Sequence, residues 1–257
     1  MLFLLRRIRR KLLSNNKVTT YLLYAIGEIF LVVIGILIAV QIDDWNEEQK
    51  LKAKETTYYC KLSEDLRQDE QQLIRLIHET EERIFHSNKL LALLQKKELD
   101  TKSIANETFQ SISLATFTFK PSTSSFEDIK SSGNIGLLKE EIKKNLIAYY
   151  SRIEGIVDVI DTNADYSVKL SNDKESYSKF GWQLIDRIDA AIDSSVVDKT
   201  KLKALVIADE EYRAKMTSDA IYFVSAGSRV KMLYEELIKD VSSMKEMLET
   251  ECTKTPD

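Results

Sequence analysis

One stretch near the N-terminus is apolar throughout, and most of the remaining chain alternates apolar and polar positions. Residues 21 to 42, YLLYAIGEIFLVVIGILIAVQI, contain a single ionisable side chain, Glu28. At about 1.5 Å per residue, a helix of this length crosses a hydrocarbon layer of roughly 30 Å. The pattern predicts one transmembrane helix over residues 21 to 42.

Beyond this stretch, apolar side chains recur every three or four residues, which is the spacing of one helix face. The spacing predicts a helix from Trp45 to about Lys97, a second near residues 139 to 176 and a third near 212 to 250. In the last two, the 4-3 rhythm is typical of coiled coils. Its positions are Ile142, Leu146, Tyr149, Ile153, Ile156 and Ile160, then Met216, Ala220, Phe223, Gly227, Val230, Tyr234, Leu237, Val241, Met244 and Leu248.

Residues 101 to 136 are less regular. They predict a helix up to about Ala115, an extended TFTFKP segment and a short helix in SSFEDIKSSG, ended by Gly133 in the left-handed conformation. Candidate N-caps of the short helix are Thr123, Ser124 and Ser125. The aromatic rings here predict an apolar flap packed on the bundle, with a ring-lined ligand pocket as the alternative; they are Phe117, Phe119 and Phe126.

Two further segments complete the helical pattern. A shorter amphipathic piece is predicted between Tyr177 and Asp209, with the apolar positions Phe180, Leu184, Ile188 and Ile192. The charged side chains on the first long helix are interpreted as a solvated surface; they include Glu64, Asp65, Arg67, Asp69 and Glu70.

Glycine and proline are scarce, with 7 and 2 residues in the 257-residue chain. This scarcity favours long uninterrupted helices over a fold with many turns. The predicted fold class is all-α, with a single N-terminal transmembrane helix followed by an elongated antiparallel helical bundle with coiled-coil-like seams.

The distribution of charge around the apolar stretch predicts its orientation. Six basic residues precede it, and an acidic cluster beginning at Asp43 and Asp44 follows it. Since basic residues are retained in the cytoplasm, the N-terminus is expected inside and the C-terminal domain outside. The six are Arg6, Arg7, Arg9, Arg10, Lys11 and Lys17.

The apolar stretch is longer than the core of a cleavable signal peptide and lacks a small-x-small cleavage site, so we expect a retained signal-anchor. Tyr21, Tyr24 and Trp45 are predicted interface anchors. The domains are therefore residues 1 to 20, a basic cytoplasmic tail; 21 to 42, the transmembrane helix; and 43 to 257, the exported domain. The tail segment FLLRRIRRKLL is either an amphipathic helix on the inner leaflet or a basic tail that only sets topology.

The exported part is acidic, because residues 43 to 257 hold 31 basic and 40 acidic side chains, a formal charge of -9. Such a domain without a basic stripe is unsuited to nucleic acid. We therefore expect membrane lipid as a partner and no nucleic acid.

Glu28 has two interpretations. It lies about one helical turn inside the hydrocarbon, close enough to snorkel to the cytoplasmic headgroups. Alternatively, it belongs to a helix-packing seam with the small residues Gly35 and Ala39, where it is a packing or proton site.

Cys60 and Cys252 are the only cysteines, and both fall in the predicted exported domain, where disulfides persist. If the last helix returns toward the start of the first, the two come close; if the three long helices run up, down and up, they lie far apart. An intramolecular disulfide, free thiols and an intermolecular Cys60 bond remain open.

No catalytic constellation is recognised. His78, Glu82 and His86 share a helix face, but the H-E-x-x-H spacing of zinc proteases fails because Glu82 replaces the second histidine. We therefore expect no catalytic residue, no metal and no cofactor, and hence no enzyme.

Three segments carry a resemblance: RRIRRKLL, GEIFLVVIGILIAVQIDDWNEEQK and FEDIKSSGNIGLL. They resemble the domain-of-unknown-function 6090 family of single-pass membrane proteins common in Bacteroidota, sharply over residues 1 to 50 and more loosely over 117 to 150. The resemblance implies a Gram-negative inner membrane with a periplasmic C-terminal domain, and implies no activity.

The leading functional hypothesis is a membrane-anchored interaction or scaffold module, either homo-oligomeric or bound to another inner-membrane protein. The alternatives are a ligand-sensing periplasmic bundle that signals through a partner and an ion-coupled accessory subunit that uses Glu28.

Overall fold

A computed structural model describes residues 18 to 112, 118 to 173, 177, 179 to 204 and 209 to 254, and all their side chains except those of 18 to 21, 23 and 204. Within these ranges all regular structure is helical and no strand occurs, which confirms the all-α class. The predicted tail helix and Phe117 lie outside the described residues. The helices are α1 (Val18–Leu94), α2 (Thr101–Ile112), α3 (Ser124–Ser131), α4 (Glu140–Asn172), α5 (Asp186–Ala191), α6 (Lys199–Ala204) and α7 (Glu210–Cys252), with 3-10 turns at Asn134–Leu137 and Trp182–Leu184.

The chain divides into two compact units, one up to Glu55 and one from Thr56 to Lys254. The first unit contains the apolar part of α1, whose most apolar window of 18 residues has a mean hydropathy of 2.5, and none of that window is buried. This helix is long and apolar enough to cross a membrane. The protein therefore has one candidate membrane-spanning helix among its described residues, near the N-terminus.

In the second unit, α7 runs antiparallel to α1. Cys252 at the end of α7 is bonded to Cys60, Lys245 pairs with Glu70, and Lys231 lies 2.7 Å from Glu81. As the residue number on α7 falls, its partner's number on α1 rises. The last helix therefore returns along the first, as one of the two predicted connectivities requires.

Helix α4 is also antiparallel to α7 and is consequently parallel to α1. Lys139, just before α4, pairs with Glu251, whereas Arg152 in the middle of α4 lies 2.8 Å from Asp240. On the other side, the hydroxyl of Tyr59 accepts a hydrogen bond from the backbone N–H of Lys139 at 2.9 Å. The three long helices thus share one core.

The predicted seam of α7 is confirmed in full, since all ten of its positions are buried. On α4, five of the six predicted positions are buried and Ile156 is partly buried against the same core. Burying one such aliphatic or aromatic side chain contributes roughly 1.5 to 3 kcal/mol before entropy is counted. The core is therefore the main source of stability in this unit.

Helices α1 and α7 approach closely at Gly227. A Cβ added there would lie 2.8 Å from Cγ1 of Ile84, which is closer than real contacts allow. Glycine is required at this seam position because any side chain would push the two helices apart.

Arg213 of α7 closes the end of α1. Its Nη1 donates to the carbonyl oxygens of Leu94 and Lys96, each at 2.7 Å. These carbonyls have no partner within the helix, and the positive charge also complements the negative end of the helix dipole. One residue thus satisfies the end of α1 and fixes the start of α7 against it.

The prediction of one amphipathic piece between Tyr177 and Asp209 was wrong. Gly181 adopts the left-handed conformation at φ 79°, and Ile185 is extended, so the chain forms a 3-10 turn and two short helices instead. A side chain is also disfavoured at Gly181 because its added Cβ would lie 3.1 Å from Cβ of Ala105. Helix α2 ends by Ile112 in the described range, and the predicted end near Ala115 falls outside it.

Candidate interaction surface

Three side chains on one face of α1 bind the backbone of the segment that precedes α3. They are Asp65, Asp69 and Gln72, spaced by four and three residues so that all point the same way. We call them the α1 clamp. They contact residues 120 to 125, which have no regular secondary structure up to Thr123 and then begin α3.

Asp65 caps the first turn of α3. Its Oδ2 accepts a hydrogen bond from the backbone N–H of Ser125 at 2.9 Å and another from the Ser124 hydroxyl at 3.3 Å. The predicted local caps do not supply this bond, because the N-cap residue Thr123 makes no side-chain capping hydrogen bond. A carboxylate near a helix N-terminus satisfies orphan N–H groups and interacts favourably with the helix dipole.

Asp69 is fully buried, and only one of its oxygens is satisfied. Its Oδ1 accepts from the backbone N–H of Ser122 at 2.8 Å, whereas its Oδ2 has no hydrogen-bond partner. Burial raises the pKa of Asp69 to about 6, and the nearby charge of Asp65 adds to the increase. The carboxyl of Asp69 therefore loses its proton at a higher pH than an ordinary aspartate.

Gln72 completes the clamp by pairing both of its amide atoms with one residue. Its Oε1 accepts from the backbone N–H of Lys120 at 2.7 Å, and its Nε2 donates to the carbonyl of Lys120 at 3.3 Å. On the α4 side, the hydroxyl of Tyr150 donates to the carbonyl of Ser122 at 3.3 Å. The segment before α3 is therefore bound by side chains of both α1 and α4.

The clamped segment forms one wall of a surface groove. The rings of Phe126 and Tyr150 stack with centroids 4.1 Å apart, and the groove beside them has a volume of about 570 Å³. Ile147 of α4, 48% exposed, supplies apolar surface there. We call this the α3–α4 groove, lined also by Pro121, Ile153 and Val157.

The rim of the α3–α4 groove is acidic. Glu127 and Lys130 pair with each other at 3.3 Å, whereas Glu154 and Asp158 make no ion pair with any described residue. The rim therefore presents two uncompensated negative charges beside apolar rings. Such a surface suits a partner with apolar and basic side chains.

The aromatic flap is confirmed where the structure describes it, because Phe119 and Phe126 are both buried in the main core. Phe126 also lines the open α3–α4 groove. Because Phe117 lies outside the described residues, the alternative of a pocket lined by all three rings stays a prediction.

The interpretation of the α1 charges as a solvated surface was wrong for Asp65 and Asp69, which are 7% and 0% exposed. A signal was present in the spacing. Asp69 lies three residues after Leu66 and four before Leu73, so it occupies a position of the buried seam rather than of the outer face. Glu64 and Arg67 are exposed and pair with each other, as a solvated surface would.

Cys60 and Cys252 are joined in a disulfide, with their Cα atoms 4.9 Å apart. The histidines of the rejected metal pattern have separate acidic neighbours: Nδ1 of His86 lies 2.6 Å from Glu107 of α2, and Nε2 of His78 lies 3.5 Å from Glu82.

The predicted membrane residues all lie in α1 within the first unit. Glu28, Gly35 and Ala39 are exposed there, and an added Cβ at Gly35 would meet nothing within 4 Å. Tyr24 is partly exposed and Trp45 is exposed; the side chain of Tyr21 lies outside the described part. Their predicted roles in packing, proton binding and anchoring stay predictions.

The described residues define an all-helical protein with one helix long and apolar enough to cross a membrane and a helical unit with an open surface groove. A family model described as DUF6090, a family of unknown function, matches residues 28 to 209. The match covers most of the chain, so the protein belongs to this family, and the resemblance of its sequence is confirmed. No curated protein and no solved structure matches it.

Proposed function

We propose that the protein is a membrane-anchored interaction module, without catalytic activity, that binds a partner protein through the α3–α4 groove. The observation that supports this best is the α3–α4 groove itself, where the exposed side chain of Ile147 lies beside the stacked Phe126–Tyr150 pair and two unpaired acids line the rim. Rigid aromatic surface is typical of binding hot spots because little side-chain entropy is lost on association.

The partner is a segment with apolar side chains that cover the rings and basic side chains that pair with Glu154 and Asp158. Both rim acids lie inside the part of the chain that the family model matches. The partner is either a second copy of this protein or another inner-membrane protein, and the seam of Gly35 and Ala39 would bring a partner helix alongside α1.

Crosslinking from the groove tests this role. A photoreactive benzophenone side chain placed at Ile147 in intact membranes should form a protein adduct, and the same group at Ile221 of α7 should not. Both positions are exposed apolar sites, 48% and 56% exposed, so they are matched in chemistry. An adduct of twice the chain mass identifies a second copy; any other mass identifies a different partner.

Charge reversal adds specificity to that experiment. The double variant Glu154→Lys and Asp158→Lys should reduce the Ile147 adduct about tenfold, which corresponds to about 1.4 kcal/mol of binding free energy. Glu246→Lys, an exposed reversal on α7, should leave it unchanged. Equal adducts from Ile147 and Ile221, or an adduct that survives the double reversal, would contradict the proposal.

We further propose that α1 is a signal-anchor in the inner membrane of a Gram-negative envelope, with the N-terminus in the cytoplasm and the second unit in the periplasm. The basic residues before the apolar stretch and the acids after it support this orientation. The disulfide supports an oxidising compartment for the second unit.

A topology reporter tests the orientation. A reporter active only in the periplasm should work when fused after Asp257 and fail when fused at the N-terminus. Neutralising Arg6, Arg7, Arg9 and Arg10 together should weaken the orientation, because basic residues near the span set it. Activity of the N-terminal fusion alone would overturn the proposed topology.

A further inference from the structure

An interhelical cavity lies in the second unit, where α1, α4 and α7 meet. Its volume is about 30 Å³, and Arg83 of α1 lines it together with Asn163 of α4 and with Gly227 and Tyr234 of α7. Thr118 also lines the cavity and, like Asn163, is partly exposed, so the cavity reaches the surface on that side. It is separate from the α3–α4 groove, with which it shares none of these residues.

Arg83 holds a positive charge in this cavity with few partners. Its Nη2 donates to the hydroxyl of Thr80 at 3.0 Å, and its buried Nε has no hydrogen-bond partner. No carboxylate of the described residues lies within ion-pair distance of the guanidinium. Arg83 is partly buried, and removing a guanidinium from water without a paired anion is costly, so an arginine in this state is suited to binding one.

Two carboxylates near Arg83 pair with other residues. The charge of Glu79, one turn earlier on α1, opposes the lowering of the Arg83 pKa by burial, but its ion pair is with Arg75 at 3.1 Å. Asp161 of α4, at the same level of the bundle, lies 2.6 Å from Lys120.

Tyr234 is the remaining titratable group of the cavity wall. Burial raises the pKa of Tyr234 to about 12, so its phenol stays neutral. The cavity therefore has a net positive charge supplied by Arg83.

The neutral polar groups of the cavity use their hydrogens within the protein. The hydroxyl of Ser111 donates to the carbonyl of Glu107 at 2.7 Å, and the hydroxyl of Ser167 donates to the carbonyl of Asn163 at 2.9 Å. The amide of Asn163 donates to the carbonyl of Val159 at 2.8 Å. These groups each donate a hydrogen bond within the protein, whereas Nε of Arg83 donates none.

We propose that this cavity binds a small carboxylate anion, which accepts hydrogen bonds from the guanidinium of Arg83. The planar guanidinium matches a carboxylate in shape and can donate two parallel hydrogen bonds to it. The cavity volume of about 30 Å³ exceeds the roughly 10 to 15 Å³ that one water needs, and formate is the smallest carboxylate. A longer carboxylic acid enters with its carboxylate end and leaves its remainder at the mouth near Thr118.

Formate is the probe for the test. The full-length protein in detergent micelles is titrated with ¹³C-formate in sodium sulfate at constant ionic strength, and the width of the formate resonance is measured. The unmodified protein should broaden the resonance saturably. Arg67→Gln, which removes an exposed arginine on the same helix, should behave identically.

Two variants address the site from different sides. Arg83→Met removes the charge at similar length and should weaken formate binding at least about tenfold, the equivalent of about 1.4 kcal/mol. Ala226→Leu keeps Arg83 but fills the cavity from α7 and should have the same effect. Retention of the disulfide and of cooperative unfolding verifies that each variant is folded.

Three outcomes would overturn the proposal: broadening that does not saturate, formate binding that persists in both variants, or saturable binding of chloride without binding of formate. The test is independent of the proposed function, since neither variant alters the α3–α4 groove and the crosslink from Ile147 can be measured in the same proteins.

Discussion

Asp69 is buried at a seam position without a basic partner among the described residues, and its ionisation therefore opposes folding. It occupies the place where the neighbouring turns of α1 bury Leu66 and Leu73. This cost is offset in part because Oδ1 accepts a hydrogen bond from the partly buried backbone N–H of Ser122. A single polar residue thus fixes where the segment before α3 lies against α1.

The pH dependence of stability should reveal this residue. Since the pKa of Asp69 rises from 3.8 to about 6 on folding, the folded state binds the proton more tightly. The resulting stabilisation is fully present below pH 3.8 and is lost as the pH rises through about 6. Asp65, Tyr149 and Tyr150 surround the carboxyl, and the tyrosines stay neutral in this range because burial raises the pKa of each.

Asp69→Asn removes the charge and keeps an acceptor for Ser122. At neutral pH it should raise the free energy of unfolding by up to about 3 kcal/mol, two pKa units at about 1.4 kcal/mol each. The difference from the unmodified protein should shrink toward zero as the pH falls to 3.8. Denaturant unfolding at several pH values measures it, and a difference independent of pH would contradict the assignment.

At the scale of elements, two helix ends are closed by residues distant in the chain, whereas α7 is capped by its own neighbour Asp209. Asp65 caps the start of α3, and Arg213 closes the end of α1. Each contact joins two elements and satisfies helix-end groups that would otherwise be unpaired. The short helix α3 is therefore stable only as part of the bundle, since eight residues are too few for an isolated helix.

The capping assignment predicts a contrast between two substitutions at α3. Asp65→Ala should lower the free energy of unfolding by about 1 to 2 kcal/mol, because the N–H of Ser125 loses its acceptor. Thr123→Ala should change it by less than about 0.5 kcal/mol, since the Thr123 side chain makes no capping bond. Urea denaturation of both variants measures these changes. An equal loss of stability in the two variants would show that Thr123 is the cap.

At the scale of the whole second unit, the disulfide joins the start of the bundle to its end. Cys60 and Cys252 are separated by 192 residues, so the bond closes a loop that includes nearly all of the unit. Closing so long a loop restricts the unfolded chain strongly, although native strain and residual structure reduce the benefit. The pairing also requires α7 to run back along α1.

Removal of the disulfide should destabilise the protein by roughly 2 to 5 kcal/mol. Replacing both Cys60 and Cys252 by serine should lower the denaturation midpoint, and reductant should lower that of the unmodified protein but not of the double variant. Thiol trapping in whole cells gives the second measurement. Alkylation of both cysteines without reductant would show that the bond is not formed in the cell.

The sequence by itself determined the helices, because their period is a property of each segment alone. The 3-4 spacing of apolar residues located α1, α4 and α7, and the uninterrupted apolar run identified the candidate membrane helix. All ten predicted seam positions of α7 are buried, and Tyr212, which the seam did not include, is buried as well. Gly133 was also readable, since its φ of 72° is the conformation that ends α3.

Only the tertiary structure decided which helix faces meet. The direction of α7 depends on the irregular segments before it, whose low periodicity leaves two connectivities open, and hence the sequence left the partner of Cys60 undecided. For the same reason, the α1 clamp and the Arg83 cavity could not be predicted from the sequence. A charged residue on a helix is exposed or buried according to what packs against it. For Asp65, Asp69 and Arg83 those neighbours are distant in the sequence, in α2, residues 118 to 125, α4 and α7.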